Sequence, residues 1–305
     1  MNAIESCLVS KRYFRTWALR DCSLAIPAGH VVALVGPNGA GKTTLLNMAA
    51  GLLAPTAGRL TVLGGQRPGS DSARACIGFV AQDAPLYRHL PVGDMLQVAR
   101  NLNVTWDNKR ALDRLAGLSI PLDRKVGALS GGQRAQLALT IALAKRPALL
   151  ILDEPVASLD PLARHDFLAS LMTAVAEDGL TVVFSSHIVT ELERIADYLV
   201  VLNQGRLQVA GAVDDLLARH RIFTGHSGEL LLDSNRYDVV QAMQAGAQTR
   251  LLVKTAAPAE PAPAGWLGQR ASLEELVLGY LRDPAASALP APDLAAAARS
   301  SRQTA

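Results

Sequence analysis

The sequence predicts an α/β fold with a mainly parallel sheet. Short apolar runs alternate with helical segments. The run Val31–Val35 has no polar residue, which is typical of a strand buried on both faces. A repeat of strand, helix and strand favours a parallel sheet with helices on both faces. The strands predicted in this way are Val31–Val35, Leu149–Leu152, Thr181–Phe184 and Tyr198–Leu202. The predicted helices are Thr43–Ala50, a helix that begins at Pro161, and Ile188–Ala196.

The segment around the first of these strands is predicted to contain further short strands. Apolar runs at Cys7–Val9 and Leu24–Ile26 are separated by polar residues, and residues 27–29 (Pro-Ala-Gly) form a turn signal. Two more strands are predicted at Leu60–Leu63 and Ile77–Val80.

Two helical regions complete the prediction for the central part of the chain. From residue 92 to about 145 the sequence has helical periodicity and no clear strand, which indicates a helical insertion between two strands. Asp160 is suited to cap the next helix, and the proline after it is favoured at a first helical position. Leu168, Leu171 and Val175 are predicted to form the buried stripe of that helix.

The C-terminal part of the sequence is less regular. Glu229–Leu232 and Arg250–Val253 are predicted strands that flank a short helix, and Ser272–Leu281 has a helical pattern with a serine cap and two early glutamates. Residues 256–265 (AAPAEPAPAG) are predicted to be a linker or loose loop. The alanine-rich tail, residues 284–305, is predicted to be disordered.

Composition restricts the class of protein. The 305 residues are 50% hydrophobic and 19% charged, with a formal net charge of +3, so a sizeable core is possible and no nucleic acid is expected as a partner. No apolar run approaches the roughly 20 residues that span a bilayer. Met1–Cys7 lacks the pattern of a signal peptide, so the chain is expected to be cytoplasmic. Cys7, Cys22 and Cys76 fit no metal-site spacing and are predicted to be buried or idle thiols.

A glycine-rich segment follows the first apolar strand. Glycines allow backbone N–H groups to surround phosphate, and a helix start adds the positive end of its dipole. Lys42 is predicted to bring its charge to the outer phosphates of a nucleotide, and the Thr43 hydroxyl to bind Mg²⁺. The segment matches the phosphate-loop pattern with Gly36, Pro37, Asn38, Gly39, Ala40, Gly41, Lys42 and Thr43.

Two carboxylates end the apolar strand Leu149–Leu152. Asp153 lies at the C-terminal end of the strand, where open parallel sheets bind ligands, and is predicted to hold Mg²⁺ directly or through water. Glu154 is predicted to polarise the water that attacks the terminal phosphate. An acidic pair can also cap a helix, but together with a phosphate loop it indicates a nucleotidase. Kinases, GTPases and motor ATPases all remain possible at this point.

The segment Leu129-Ser-Gly-Gly-Gln133 narrows the class. Ser130, Gly131 and Gly132 head a long apolar helix, which makes the segment a second site suited to anions. The sequence LSGGQ resembles the signature of the ATP-binding cassette (ABC) family and lies ahead of Asp153, as the family arrangement requires. The resemblance implies a head-to-tail dimer, in which the signature of each subunit, Ser130 to Gln133, closes on the ATP of the other.

Further positions match the same family. Tyr13 resembles the aromatic residue that stacks on adenine, with Phe14 as the nearby alternative, and Gln82 resembles the glutamine that senses Mg²⁺. The resemblance implies that Mg²⁺ is held by Thr43, Gln82 and Asp153. It implies that ATP is bound by Tyr13, Gly36, Pro37, Asn38, Gly39, Ala40, Gly41, Lys42, Thr43, Thr44 and Gln82.

The remaining family elements concern the dimer and catalysis. Ser158 and Asp160 resemble the loop that contacts the other subunit, and His187 resembles the switch histidine that contacts the terminal phosphate and orients Glu154. The sequence departs from the family pattern at two places. Ser185 and a second serine precede the histidine, where threonine is frequent, and valine and alanine follow Pro155 in place of threonine and a small residue. Neither change removes a chemical group that was assigned a role.

The resemblance covers residues 4–220 and implies a P-loop NTPase core with a mainly parallel sheet. It adds an N-terminal antiparallel β subdomain, an inserted α-helical subdomain at about residues 83–145 and a small C-terminal extension. Residues 1–220 are accordingly predicted to form the ATP-binding domain, and residues 221–283 an accessory region.

The implied function is that of the ATP-binding and ATP-hydrolysing subunit of an ABC transporter, with ATP and Mg²⁺ as cofactors. Its implied partners are a second copy of the chain or a homologous ATPase subunit, and a separately encoded polytopic permease. The permease would hold it on the cytoplasmic face of the cell membrane. Residues 82–92 and the C-terminal extension resemble exporter-type ATPases, including those of drug-efflux systems.

Two other functions are possible within the family. The first is a soluble ABC ATPase of DNA repair, translation or cofactor assembly. Repair types usually carry a long coiled-coil insertion and translation types carry two cassettes, and this sequence has neither. The second is a regulatory cassette with degenerate ATP sites, against which the intact Lys42, Asp153, Glu154 and His187 argue.

Overall fold

The computed structural model of the chain describes residues 1–82, 84–186, 189–226, 236–258 and 260–282, without the side chains of residues 190 and 191. The strands are β1 (Asn2–Tyr13), β2 (Thr16–Pro27), β3 (Val31–Val35), β4 (Ala57–Val62), β5 (Ile77–Val80), β6 (Leu149–Asp153), β7 (Thr181–Ser186), β8 (Tyr198–Asn203), β9 (Arg206–Ala212), β10 (His220–His226), β11 (Tyr237–Ala245), β12 (Gln248–Thr255) and β13 (Leu267–Arg270). The α-helices are α1 (Lys42–Ala49), α2 (Asp71–Cys76), α3 (Val92–Leu102), α4 (Asn108–Gly117), α5 (Gly131–Ala144), α6 (Pro161–Asp178), α7 (Val189–Leu192), α8 (Val213–Arg219) and α9 (Leu273–Arg282).

The central sheet has six strands in the order β5-β6-β7-β3-β8-β9. All neighbours are parallel except β9, which is antiparallel to β8 at the edge. Every residue of β3, β6 and β7 is buried, as expected for strands covered on both faces. The predicted α/β fold with a mainly parallel sheet is therefore confirmed.

The topology brings the two predicted chemical segments to one edge of this sheet. Strands β3 and β6 both lie beside β7, with Val35 opposite Ser186 and Asp153 opposite Ser185. The carboxyl ends of the three strands are therefore level. The glycine-rich segment leaves β3 at the edge where β6 presents its acidic residues.

A separate antiparallel sheet, β2-β1-β4, forms the N-terminal part of the fold. This confirms the predicted antiparallel subdomain, but β1 and β2 each have 12 residues and extend far beyond the predicted runs Cys7–Val9 and Leu24–Ile26. The prediction was too short because polar residues interrupt the apolar pattern of both strands. Some of these residues are exposed, such as Arg20, and others are buried, such as Ser6 and Ser10.

Helices α3 to α5 form the predicted insertion, around a core of their own that includes Leu96, Leu115 and Leu137. The predicted stripe of α6 was placed wrongly by about one residue. Leu171 is buried as predicted, but Phe167 and Ala174 are the other buried residues, while Leu168 and Val175 are only partly buried. Phe167 is fully buried in the main core, so the buried face of α6 is centred one residue earlier than predicted.

Helix α7 is also shorter than predicted, because it ends at Leu192 rather than Ala196. Ile188, the predicted first residue of this helix, lies outside the described residues. Two N–H groups just beyond α7 still donate to the Leu192 oxygen, at 3.1 Å from Ile195 and 2.9 Å from Ala196, so the chain continues as a turn.

The C-terminal part contains a four-stranded antiparallel sheet in the order β11-β12-β10-β13. The short helix predicted between the two C-terminal strands is wrong, because β11 occupies that position. The predicted strand Glu229–Leu232 and the predicted tail, residues 284–305, lie outside the described residues. Residues 256–265 connect β12 to β13, which both pair with β10, and the Tyr237 hydroxyl donates to Pro261 O at 2.8 Å. The domain boundary at residue 220 stays a prediction.

Helix α9 attaches this sheet to the main core. Leu276, Val277 and Tyr280 belong to the same buried cluster as Val201 of β8, and Asn203 Nδ2 donates to Leu281 O at 2.8 Å. The predicted serine cap is present, since the Glu275 N–H donates to the Ser272 hydroxyl at 3.1 Å and the Ser272 N–H donates to Glu275 Oε2 at 2.9 Å. None of the described helices has the length and apolar character needed to cross a bilayer.

His220 is fully buried between α8 and α9. Its Nδ1 lies 2.6 Å from Leu216 O and its Nε2 lies 2.9 Å from the Tyr280 hydroxyl. A carbonyl can only accept, so Nδ1 carries the proton of the neutral ring and Nε2 accepts from Tyr280. Burial lowers the pKa of His220 to about 4.

Folding stability is therefore expected to fall as the pH is lowered from 6.5 towards 4. In this window the unfolded chain binds a proton at His220 and the folded chain does not, and the loss is on the order of 3 kcal/mol at most. The measurement is urea unfolding followed by circular dichroism across this pH range. His220→Gln should flatten the dependence, whereas the exposed His165→Gln should leave it unchanged. A slope that His220→Gln does not alter would contradict this expectation.

Candidate functional site

The glycine-rich segment joins β3 to α1 in a tight turn. Gly41 caps α1 with a φ of 103°, a conformation that side chains oppose, and a Cβ there would lie 2.5 Å from Ala18 O. A Cβ at Gly36 would lie 2.3 Å from Leu202 O. Both glycines are therefore required by the close approach of neighbouring backbone. The segment leads directly into the start of α1, whose free N–H groups suit an anion.

A cleft of about 550 Å³ opens beside this turn. It brings together most of the predicted phosphate-loop residues with Gln82 and Glu154. Ala18 and Ala157 also line it, although no sequence signal indicated them. The lining residues are Ala18, Asn38, Gly39, Ala40, Gly41, Lys42, Thr43, Thr44, Gln82, Glu154 and Ala157.

Lys42 and Glu154 form an ion pair at the floor of the cleft. Lys42 Nζ lies 3.2 Å from Glu154 Oε1 and donates to Gly36 O at 2.8 Å. The side chains are only 5% and 10% exposed, so water screens the pair weakly. An anion that enters the cleft would compete with the Glu154 carboxylate for the Lys42 ammonium.

Ser185 fixes the two carboxylate residues relative to each other. Its hydroxyl donates to Asp153 Oδ1 at 2.8 Å and accepts from the Glu154 N–H at 2.8 Å. Glu154 has a φ of 45°, in the left-handed region, which is uncommon for a non-glycine residue. The hydroxyl therefore helps to hold a backbone conformation that directs Glu154 into the cleft. In the sequence Ser185 stands out only as a departure from threonine.

Replacing Ser185 with alanine is expected to lower the turnover of ATP about tenfold with little change in KM, since the Glu154 backbone loses its anchor. Ser185→Thr keeps the hydroxyl and should retain most of the activity. Steady-state ATPase assays measure both constants. Wild-type turnover in Ser185→Ala would show that the hydroxyl does not position Glu154.

Two of the three side chains predicted to hold Mg²⁺, Thr43 and Gln82, line the same cleft. Asp153 does not line it and is only 2% exposed. Hydroxyl, amide and carboxylate oxygens are donors that Mg²⁺ accepts, so these residues fit the ion. Among the described residues no three His, Cys, Asp or Glu side chains cluster as a metal site. Mg²⁺ ordinarily keeps several water ligands and takes further oxygens from substrate phosphates.

The LSGGQ segment forms the start of α5. Ser130 caps the helix by a capping box, in which its hydroxyl accepts from the Gln133 N–H and Gln133 Oε1 accepts from the Ser130 N–H, both at 3.2 Å. Ser130 and Gly131 are exposed, whereas a Cβ at Gly132 would lie 2.8 Å from the Ala163 Cβ of α6. The exposed helix start is suited to bind an anion from outside the chain.

The predicted dimer loop lies next to this helix start. Asp160 Oδ1 accepts from the N–H groups of Leu162 at 3.1 Å and Ala163 at 3.0 Å, so it caps α6 as predicted, and Ser158 is exposed. None of residues 130–133 lines the described cleft. One chain therefore presents two separate surfaces that are suited to anions.

The predicted adenine-stacking residue lies at the tip of the β1–β2 hairpin. Tyr13 is 45% exposed, with Lys11 Nζ 5.4 Å from its ring centroid, and Phe14 is fully exposed. Neither ring lines the cleft, although Ala18 of the same hairpin does. The stacking role of Tyr13 stays a prediction. His187 lies outside the described residues, so its assignment also stays a prediction.

Comparison with known proteins identifies the family. The family model described as ABC transporter matches residues 19–157. The chain is 38% identical over 234 residues to the Fe(3+) ions import ATP-binding protein FbpC of Pseudomonas fluorescens, covering 72% of this chain and 64% of that protein. It is 37% identical to the thiamine import ATP-binding protein ThiQ of Salmonella choleraesuis, covering 64% of this chain and 86% of that protein. It is 40% identical to the Nod factor export ATP-binding protein I of Rhizobium johnstonii, covering 67% of each.

Solved structures agree with this match. An ATP-binding subunit of an ABC transporter is 28% identical, with a TM-score of 0.63 over 70% of this chain and 91% of that one. The dimeric bacterial ABC transporter cassette MJ0796 is 27% identical, with a TM-score of 0.62 over 69% of this chain and 98% of that one. The fold, the phosphate-loop cleft and these relatives together place the chain in the ATP-binding cassette family, as an ATP-binding subunit of the ABC transporter type.

Proposed function

We propose that the chain hydrolyses Mg-ATP and thereby drives a separately encoded membrane permease. Two subunits, either two copies of this chain or this chain and a homologous one, would face each other head-to-tail around two nucleotides. The permease would hold them at the cytoplasmic face of the membrane.

The proposed dimer is supported mainly by the separation, within one chain, of the two surfaces suited to anions. The Lys42 cleft and the exposed Ser130 helix start do not share a cavity, although each is suited to phosphate. A second subunit related by a twofold axis would place its helix start over the cleft of the first subunit. By the same symmetry, the helix start of the first subunit would lie over the cleft of the second. Each ATP would then be held by two chains. The loop of Ser158, beside the helix start, would lie in the same interface.

Within such a site each side chain has a defined task. Lys42 would neutralise the outer phosphates after it leaves its ion pair with Glu154. The freed Glu154 carboxylate would accept a proton from the attacking water, and Ser185 would keep its backbone in place. Thr43, Gln82 and Asp153 would hold Mg²⁺, which supplies positive charge against the phosphate oxygens. His187 would contact the terminal phosphate.

A groove between the helical insertion and the β5 edge of the main sheet is suited to the permease. It encloses about 510 Å³, and much of its lining is apolar, including Ile77, Phe79 and Ile141. Leu102 and Val104 on its wall are 78% and 96% exposed. Exposed apolar side chains in a groove mark a protein-binding surface. Phe79 in its lining belongs to β5, and Gln82 of the nucleotide cleft follows this strand in the chain, so a helix of the permease seated there would sense the state of the nucleotide site.

Polar substitution in the groove is expected to detach the chain from the membrane without affecting nucleotide binding. Leu102→Ser together with Val104→Ser should lower the amount recovered with the membrane fraction about tenfold, since apolar burial is lost. Leu267→Ser, at an equally exposed leucine of β13, is the matched control. Unchanged recovery of the groove variant would remove this surface from permease binding.

We further infer that the coupled transport is export. This rests on the resemblance of residues 82–92 and the C-terminal extension to exporter-type ATPases, and on the likeness to the Nod factor export protein. The iron and thiamine relatives, by contrast, are import ATP-binding proteins. Purifying the native complex from membranes and identifying the co-eluting proteins tests the transport function. A polytopic protein is expected, whereas a complex without one would contradict a transport function.

A further inference from the structure

Two arginines in the C-terminal sheet lie side by side. Arg221 of β10 and Arg270 of β13 are directly opposite each other in the antiparallel pair. Like charges in this position destabilise a sheet. Within the part of the chain that the structure describes, neither guanidinium forms an ion pair. By contrast, Arg236 pairs with Glu260 at 2.5 Å in the same sheet region.

The Arg221 side chain is held in place rather than extended into solvent. Its Nε is buried and donates to no protein atom in the described residues. Its Nη2 lies over Gly268, where an added Cβ would be 3.4 Å away, with Phe223 at the same distance. A buried N–H without an acceptor is unfavourable, and most such groups in proteins have a partner. Among the described residues no acceptor fills this position, so the donor is available to an acceptor on a bound ligand.

Both arginines line a cavity of about 370 Å³ between α8 and the sheet. Leu217, Pro258 and Ala271 form an apolar part of the wall, and Asp214 is its single acidic residue. Paired guanidinium groups match the oxygens of phosphate or carboxylate, while the apolar wall suits a small carbon skeleton. Asp214 limits the negative charge that the ligand can carry and can accept a hydrogen bond from its hydroxyl or amino group.

We propose that this cavity binds a small metabolite through a phosphate or carboxylate group held by Arg221 and Arg270. The ligand oxygens would accept from the orphaned Arg221 Nε and relieve the repulsion between the two arginines. The site is separate from the nucleotide cleft, so it does not depend on the proposed transport function. It would fasten β13 to β10 just before α9, the helix that packs on the main core.

Titration calorimetry on the full-length chain tests the proposal, with inorganic phosphate and succinate as the two probes. At least one probe is expected to bind with a Kd below about 10 mM. Arg221→Gln and Arg270→Gln should each weaken this binding about tenfold or more, because a charge-assisted bond is lost. Arg236→Gln, which removes an already paired arginine, should have no effect. A preference for phosphate over succinate, or the reverse, identifies the ligand class.

A variant at the nucleotide cleft separates this site from the phosphate loop. Lys42→Ala should leave the binding unchanged, whereas binding that only Lys42→Ala abolishes would place the anion in the phosphate loop and overturn the proposal. Failure of both probes to bind would also overturn it. In case an arginine variant does not fold, modification of the wild-type chain by phenylglyoxal gives an independent result. The bound probe should protect Arg221 and Arg270 but not Arg236, and equal modification would contradict the site.

Discussion

Glu154→Gln is expected to lower ATP turnover about 100-fold or more while ATP binding is retained. Glutamine has the shape of glutamate but cannot accept the proton of the attacking water. It also lacks the charge that faces Lys42 at 3.2 Å, so the Lys42 ammonium is free for the phosphates and the affinity for ATP should not fall. A dimer with trapped ATP should therefore accumulate.

Single-turnover hydrolysis and light scattering measure these two effects in the same samples. Glu177→Gln is a matched control. That glutamate is exposed on α6 and also faces a cation, with its Oε2 3.9 Å from Arg110 Nη2, but it lies outside the cleft. It should behave as the wild type in both assays. Normal turnover in Glu154→Gln would show that another group accepts the proton.

Lys42→Ala is expected to weaken ATP binding about 10- to 100-fold, because the charge-assisted bonds to the outer phosphates are lost. Lys42 is the cation of the cleft, and its Nζ is already oriented by Gly36 O at 2.8 Å. Equilibrium titration with a fluorescent ATP analogue measures the affinity. Lys109→Ala, at a lysine that is 87% exposed on α4, provides the control. Equal affinity in both variants would show that ATP is bound elsewhere.

The sequence was sufficient to predict the parts of the fold that depend on apolar strands and glycine turns. Buried parallel strands such as Leu149–Leu152 are apolar throughout, and Gly41 is required by its positive φ and its close contact with Ala18. Such constraints act on single residues and their neighbours in the chain, so they can be recognised in short sequence motifs. The phosphate-loop residues and Glu154 were predicted from such motifs and Gln82 from the family resemblance, and the structure brings Gln82, Glu154 and most of the phosphate-loop residues to one cleft.

Other features depend on contacts between distant segments. Ser185 of β7 forms hydrogen bonds with Asp153 and Glu154 at the end of the neighbouring strand β6. Neither the position of Ser185 in the sequence nor its residue type indicates that contact. The stripe of α6 was misplaced because Phe167 packs into the core of the assembled sheet. Strand β11 has weak alternation on a half-exposed sheet, so its sequence did not exclude a helix.

The shared nucleotide site is tested most directly by mixing two inactive variants. Lys42→Ala disables the cleft of a subunit, and Ser130→Phe blocks its helix start. A mixed dimer contains one site with both defects and one site with neither. An equal mixture should therefore recover about a quarter of wild-type ATPase activity, since half of the dimers are mixed and one of their two sites is intact. If the mixture shows only the sum of the two residual activities, the nucleotide is not held between subunits.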